Sequence, residues 1–400
     1  VPKRTVTQRS FILGELRRDF LEAKDLEIRQ VSVRGGLNAR IAATRIITAR
    51  PGSLAMRTLG AARDVIELRP SSEQVFGLIV NDTSLQIIDI NANLVATISG
   101  VAWSDASTVW VEPFRDVTLI GCPQGLFELT LNGSWQLTPF VFAEVAGGEL
   151  AQPYWSFRGD VRIQPSGLTG AITLRATEGI WTPAYVGQRV RYNFREILIT
   201  GYISPSVVTG NVITSLPPSF GINVQSAASF RIGDAVIGAD TNFQGVVVDI
   251  GINYLAVVTT AFFDGPDVNE IITGPSGGSK VTFKSQRAPD ASFLWDEPLF
   301  SPARGYPRAG VSAAGRLWLI DHPLVPDIIA ASSIRAIQDF KVGAEDDDAI
   351  VRQVGDNQPR FRHAVNAGDL LLFSDRGTYY VNIRDGSLVT PSTFNAILFD

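Results

Sequence analysis

Short apolar runs separated by tight polar turns fill most of this chain. Between 64 and 142 they fall at 75–80, 85–90, 94–98, 109–111, 117–120, 126–131 and 135–140, with Asn81-Asp82 and Asn91-Ala92-Asn93 as turns. Short, evenly spaced strands predict a sandwich, a barrel or a propeller. The period changes at the start of the chain. Phe11, Leu13, Leu16, Phe20 and Leu21 have roughly helical spacing with charges between them, which predicts a helix over 10–30. A more extended stretch follows, closed by the turn signal Arg50-Pro51-Gly52.

An internal repeat favours the propeller. Residues 119–139 align with 371–391 at a constant offset of 252: Leu119 with Leu371, Gly125 with Gly377, Leu129 and Leu131 with Val381 and Ile383, and Thr138-Pro139 with Thr390-Pro391. Repetition of one four-stranded unit is the signature of propeller blades. Strand-like sequence also occupies 311–320 and 328–332. Between the two blade-like regions lies a stretch of different character, about 158–290, with strands at 172–176, 186–192, 197–203, 230–238, 245–250 and 255–260. It reads as an inserted small β-barrel or sandwich region. The expected fold is therefore mainly β: a β-propeller-like domain interrupted by that insertion, with a short N-terminal helical segment. The divisions are 1–63 as a helical and extended docking segment, 64–157 as the first propeller-like part, 158–290 as the insertion and 291–400 as the second propeller-like part. Val1 in place of Met, and the apolar run 395–399, raise the expectation that the polypeptide continues.

Composition narrows the function. Of 400 residues, 45% are hydrophobic and 19% charged, as in a folded globular chain. The net charge of −5 is unevenly placed. Residues 1–50 carry eleven Lys/Arg against five Asp/Glu, a net of +6, and the remainder carries 24 against 35, a net of −11. A basic arm on an acidic body points to docking on an acidic surface or nucleic acid, or to a solvated face. With Cys122 as the one cysteine, no intrachain disulfide forms. No 18-residue apolar run occurs, so no membrane-spanning segment is expected.

Reactive groups are few. His322 and His363 lie outside any catalytic motif, and one Cys with two His cannot supply an ordinary zinc site. Glu345-Asp346-Asp347-Asp348 lacks the alternation and glycine of a calcium loop, and so does the cluster Asp264, Asp267, Asn269 and Glu270. Gly274-Pro275-Ser276-Gly277-Gly278-Ser279-Lys280 lacks the Gly-Lys-Ser/Thr order of a phosphate loop. Ser104-Asp105 and Ser374-Asp375-Arg376-Gly377-Thr378 have the wrong spacing for sialidase Asp boxes. The sequons at Asn81 and Asn132 read as hairpin turns. The seven tryptophans are scattered through strand-like segments and read as core packing. No catalytic, cofactor-binding or metal-binding residue is assigned, and no enzyme activity is expected.

Against that background the chain resembles a known family. Ser10-Phe11-Ile12-Leu13-Gly14-Glu15, Arg18-Asp19 and Arg50-Pro51-Gly52 are similar to the opening of podovirus (short-tailed bacteriophage) tail nozzle proteins, also called tail tubular protein B. Downstream, Gly305-Tyr306-Pro307, Gly315-Arg316-Leu317-Trp318, Ser332-Ser333, Asp339-Phe340 and Asp346-Asp347-Asp348-Ala349-Ile350 occur in the family's order. Leu370-Leu371-Leu372-Phe373-Ser374, Gly377 and Leu388-Val389-Thr390-Pro391 complete it. The resemblance covers roughly 10–60 and 295–395. It implies a structural protein of the virion, placed in the phage tail as a ring, usually sixfold, below the head–tail adaptor. DNA would leave through the lumen without sequence-specific binding, and tail fibres or spikes would attach near the junction. The implied partners are further copies of the chain (a homohexameric ring), the adaptor, the fibre or spike proteins and the genomic DNA. Arg17, Arg18 and Arg29 are candidates for meeting an acidic adaptor surface.

Two other readings compete. A glycan-binding or glycan-cleaving propeller for host recognition needs converging carboxylates or aromatic platforms. A generic propeller scaffold for protein interaction shares the repeat but not the ordered downstream pattern.

Overall fold

The computed structural model describes residues 65–399 except 72, 262–263, 355–357 and 384–388, together with short strands within the first fifty residues. The chain divides into two compact units, 1–59 and 60–400. In the first, Gly14–Glu15 pairs in parallel with Ser32–Val33, and Ala39–Ile41 pairs antiparallel with Ile47–Ala49. The helix predicted over 10–30 lies outside the described residues except at Gly14–Glu15, and those two are strand. Gly14 disfavours a helix there by about 1 kcal/mol relative to alanine, and Phe11 and Leu13 already alternate with a period of two. No α-helix occurs among the described residues; Ala106–Thr108 and Pro183–Tyr185 are single 3₁₀ turns.

The second unit is built from antiparallel sheets. Four of them are four-stranded meanders. The first runs Val65–Ser71, Gln74–Val80, Ser84–Ile88 and Leu94–Ser99; the second runs Trp110–Phe114, Val117–Cys122, Gly125–Asn132 and Ser134–Pro139. The third contains Ala309–Ala313, Arg316–Ile320, Ile328–Ala331 and Ile350–Gln353, and the fourth Phe361–Asn366, Leu370–Ser374, Gly377–Val381 and Ile397–Leu398. The opening strands of consecutive meanders lie beside one another in the order first, second, third, fourth. Ser312 ties three of them: its amide donates to Glu112 of the second sheet at 2.7 Å, and its carbonyl accepts from Asn366 of the fourth at 3.2 Å.

The repeat read from sequence is a structural one over its hairpin. In the second sheet Leu119 faces Glu128, Ile120 faces Phe127 and Cys122 faces Gly125. In the fourth, Leu371 faces Tyr380, Leu372 faces Tyr379 and Ser374 faces Gly377, each 252 residues on. The correspondence ends after this hairpin. Thr138-Pro139 lies in a strand, whereas Thr390-Pro391 lies in a turn before the short strand Ile397–Leu398.

Packing between the meanders is apolar. Leu78, Leu85 and Ile87 of the first meet Ile120 and Leu129 of the second. Leu119 meets Leu317, Leu319 and Ile328 of the third. Val311, Trp318 and Ile329 meet Leu372, Tyr379 and Val381 of the fourth. Trp110 closes the joint between second and third. Its indole lies over Gly121 on one side, and a Cβ on Gly310 would stand 2.5 Å from its ring on the other. Its Nε1 donates to the Pro307 carbonyl at 2.9 Å. Only glycine leaves room for the ring at those two positions.

Between the second and third meanders the chain builds two further elements. A seven-stranded sheet runs Tyr154–Trp155, Trp295–Pro298, Arg189–Tyr192, Arg195–Ser204, Val207–Val212, Ala171–Ala176 and Ile163–Pro165. A bridge between Ile163 and Ser292 links its far edge back to the segment preceding Trp295. A closed six-stranded barrel, Ser219–Val224, Tyr254–Ala261, Gln244–Gly251, Ala235–Gly238, Ile271–Gly274 and Gly277–Arg287, packs on it through Val248, Ala256 and Val258.

Candidate functional site

Four of the segments that carry the downstream sequence pattern, at 315–318, 332–333, 346–350 and 389–391, meet at Arg316. This residue begins the second strand of the third meander, after the tight turn Ala314-Gly315, and its side chain is fully buried. Its Nη1 donates to the carbonyls of Ser332 at 2.8 Å, Asp348 at 2.6 Å and Asp347 at 3.3 Å. Its Nη2 donates to those of Asp346 and Val389, both at 3.0 Å. Burial lowers the guanidinium from its ordinary value, and the charges of Asp347 and Asp348 oppose that shift. Five main-chain oxygens thus share the four hydrogens of the two Nη groups, while the buried Nε–H has no partner among the described residues. The acidic run, which lacks the features of a calcium loop, thus wraps a buried arginine with the backbone of Asp346, Asp347 and Asp348. Within the run Asp348 accepts from the amide of Glu345 at 2.8 Å. Nearby, Ser332 Oγ accepts from the Leu317 amide at 3.0 Å, and Asp339 accepts from the Lys341 amide at 2.9 Å.

A second polar group ties the seven-stranded sheet to the segment that leads into the third meander. Glu297, fully buried, accepts from Arg304 at 2.6 and 2.7 Å and from the Tyr185 hydroxyl at 2.5 Å. Arg304 also stacks over Phe157 at 4.8 Å. Beside it Glu196, also buried, accepts from the Tyr154 hydroxyl, the Leu150 amide and Arg189, at 2.5, 2.9 and 2.9 Å. Arg191 pairs with Asp296 and covers the Tyr154 ring at 4.0 Å. Burial first, then the charge of Glu196 or Glu297, pushes the Tyr154 and Tyr185 phenols far up, so both stay neutral donors. Gly305 of the Gly-Tyr-Pro segment has φ +94°, and a Cβ there would lie 2.5 Å from Pro323.

The other sequence candidates have structural places. His322 is fully buried between Phe157 and Phe300, and its Nδ1 accepts from the Leu324 and Val325 amides at 3.2 Å each. Burial lowers its pKa to about 4. The Leu299 backbone opposes that shift, and the charges of Arg304 and Arg308 add to it. His363 stacks on Phe373 at the surface of the fourth sheet. Glu270 is buried and accepts from the amides of Asp240, Thr241 and Asp267, each at 2.7 Å, pinning two loops of the barrel. The 274–280 segment is a hairpin with Gly274 facing Gly277. Asp105 caps the 3₁₀ turn 106–108, and Asp375 accepts from the Arg360 amide at 2.8 Å. Trp103, Trp295 and Trp318 are buried in the cores.

One concavity was not read from sequence. A cavity of about 230 Å³ is lined by Ser156, Phe194, Phe293, Leu294, Trp295 and Asp296. Phe194 stands 59% exposed in the left-handed region, φ +65°, next to Asn193 at φ +46°. That turn type normally takes Asn-Gly, so the Tyr192-Asn193-Phe194-Arg195 stretch carried no turn signal. Among the described residues no group of three or more His, Cys, Asp or Glu is placed to hold a metal ion. No protein-family model matches the chain, and no curated protein is found similar to it.

Proposed function

We propose that this chain is a structural component of a short-tailed phage tail. In this reading it is a nozzle ring below the head–tail adaptor, forming part of the DNA ejection conduit and supporting fibre attachment, and it is not an enzyme. The four meanders are read as propeller blades with their opening strands innermost. The observation that carries the reading is the convergence on Arg316. Segments that resemble the nozzle family separately, 315–318, 332–333, 346–350 and 389–391, are held by one side chain, so their order along the sequence answers to one structural need.

In this reading the net charge of −11 outside the first fifty residues limits non-specific binding of DNA, whose phosphates cationic surfaces hold. The partners in this reading are further copies of the chain, the adaptor, fibre or spike proteins, and genomic DNA that passes without sequence-specific contact. Mass photometry of the purified chain, alone and mixed with the adaptor, tests it. Multimers on the adaptor support the nozzle; a monomer that ignores the adaptor refutes it. The cavity beside the exposed Phe194 ring favours one second reading, a glycan-binding module, since an exposed aromatic face suits a sugar ring. A glycan array with Phe194→Ala as control separates the two.

A further inference from the structure

The strands Arg189–Tyr192 and Arg195–Ser204 are joined by two residues, Asn193 and Phe194, with Tyr192 facing Arg195. Both joining residues have positive φ, +46° and +65°. Such a turn normally takes Asn-Gly, because glycine enters the left-handed region freely and a bulky side chain does not. Asn193 follows the rule. It is buried, its amide donates to the Leu294 carbonyl at 2.7 Å, and its Oδ1 accepts from the Ser292 hydroxyl at 3.2 Å. Phe194 breaks the rule, and its ring is 59% exposed. A ring left mostly in solvent gains little from packing to offset that strain. Strain that packing does not offset marks a candidate functional position.

The ring borders the cavity of about 230 Å³. The rest of the lining is held in place. Trp295 is buried and its Nε1 donates to the Val161 carbonyl at 2.7 Å, and the Leu294 amide donates to Ser292 Oγ at 3.0 Å. Phe293 is a wall, with the Arg162 guanidinium 4.3 Å from its ring centre. Two lining side chains are polar, the exposed Ser156 and Asp296. The Asp296 carboxylate accepts from Nε and Nη2 of Arg191. A carboxylate accepts about four hydrogen bonds, so Asp296 keeps acceptor capacity while the arginine offsets its charge. An ion would therefore find no uncompensated countercharge in this lining. The volume is that of about seven or eight waters. It is below the ~300–1,000 Å³ of a site for drug-sized ligands, and it suits one six-membered ring. The fitting ligand is uncharged, with an apolar face for Phe194 and hydroxyls at its edge. We infer that the cavity is a subsite for one neutral pyranose, with its C–H face on Phe194 and its hydroxyls toward Asp296 and Ser156. The inference rests on the glycan-binding reading and names the sugar class and the residues; the nozzle reading does not depend on it.

Saturation-transfer NMR and calorimetric titration of the 400-residue chain test it. The probes are the methyl glycosides of glucose, galactose and mannose, with those of glucosamine and sialic acid as charged comparators and Phe194→Gly as the variant. Wild type is expected to bind a neutral glycoside with a Kd of roughly 1 mM, the affinity of about a dozen heavy atoms on one platform. The variant is expected to bind it at least about tenfold more weakly. Glycine also relieves the positive φ, so the variant is expected to melt no lower than wild type. A variant that melts lower shows that the ring holds the fold and overturns its role as a platform. Undiminished binding by the variant places the sugar elsewhere and overturns the subsite while glycan binding stands. A preference for the charged glycosides overturns the neutral class. Binding on the glycan array with no neutral glycoside bound in solution overturns the subsite alone. No sugar bound in either experiment overturns both the subsite and the glycan-binding reading.

Discussion

Replacing Arg316 with methionine keeps most of the side chain's bulk and removes every hydrogen bond it gives to Ser332, Asp346, Asp347, Asp348 and Val389. Several of those carbonyls are then left without a donor inside the protein. At about 1–3 kcal/mol for a buried unsatisfied group, Arg316→Met is expected to destabilise by about 3 kcal/mol or more, measured by urea unfolding. Arg316→Lys recovers only part of this, because a point-like ammonium cannot span five acceptors. His322 gives a prediction of pH dependence. Its folded pKa of about 4 lies below the ordinary 6.5, so between those values the unfolded chain binds a proton that the folded chain does not. Stability therefore falls as pH drops from about 6.5 to about 4, by about 3 kcal/mol from this residue, and levels off below. In His322→Asn that part of the slope is expected to vanish, seen as a flatter plot of melting temperature against pH.

The joints between elements depend on close approach and buried charge. Gly310→Ala places a methyl 2.5 Å from the Trp110 ring, and overpacking of this kind costs about 1–3 kcal/mol. The expected sign is a lower melting temperature, with Trp110 fluorescence changed. Arg304→Ala leaves Glu297 buried with the Tyr185 hydroxyl as its remaining donor. Loss of one partner of a buried pair costs about 3–5 kcal/mol. Calorimetry is expected to show the seven-stranded sheet and barrel melting ahead of the meanders. Much of this architecture was legible in the sequence, because Asn81-Asp82 and Asn132-Gly133 punctuate strands whose alternation is regular. The strand Val65–Ser71 was not, because Arg69-Pro70 reads as a break and is accommodated at a register shift. The seven-stranded sheet was hidden because Tyr154–Trp155 pairs with Trp295–Pro298, about 140 residues apart along the chain. The role of Arg316 was illegible for a different reason: its partners are backbone oxygens, and no side-chain type announces them.

At the scale of the whole molecule, a basic stretch of fifty residues precedes a β-rich remainder whose net charge is −11. If that stretch meets an acidic adaptor surface, charge reversal at Arg17, Arg18 and Arg29 is expected to weaken adaptor binding and steepen its loss with salt. Unchanged binding in a salt titration refutes that role. The central claim, that this chain forms a nozzle ring, is tested most directly by negative-stain imaging of the chain mixed with its head–tail adaptor. The account predicts rings of several copies, coaxial with the adaptor and open along the axis. Single particles that neither form rings nor bind the adaptor would contradict it.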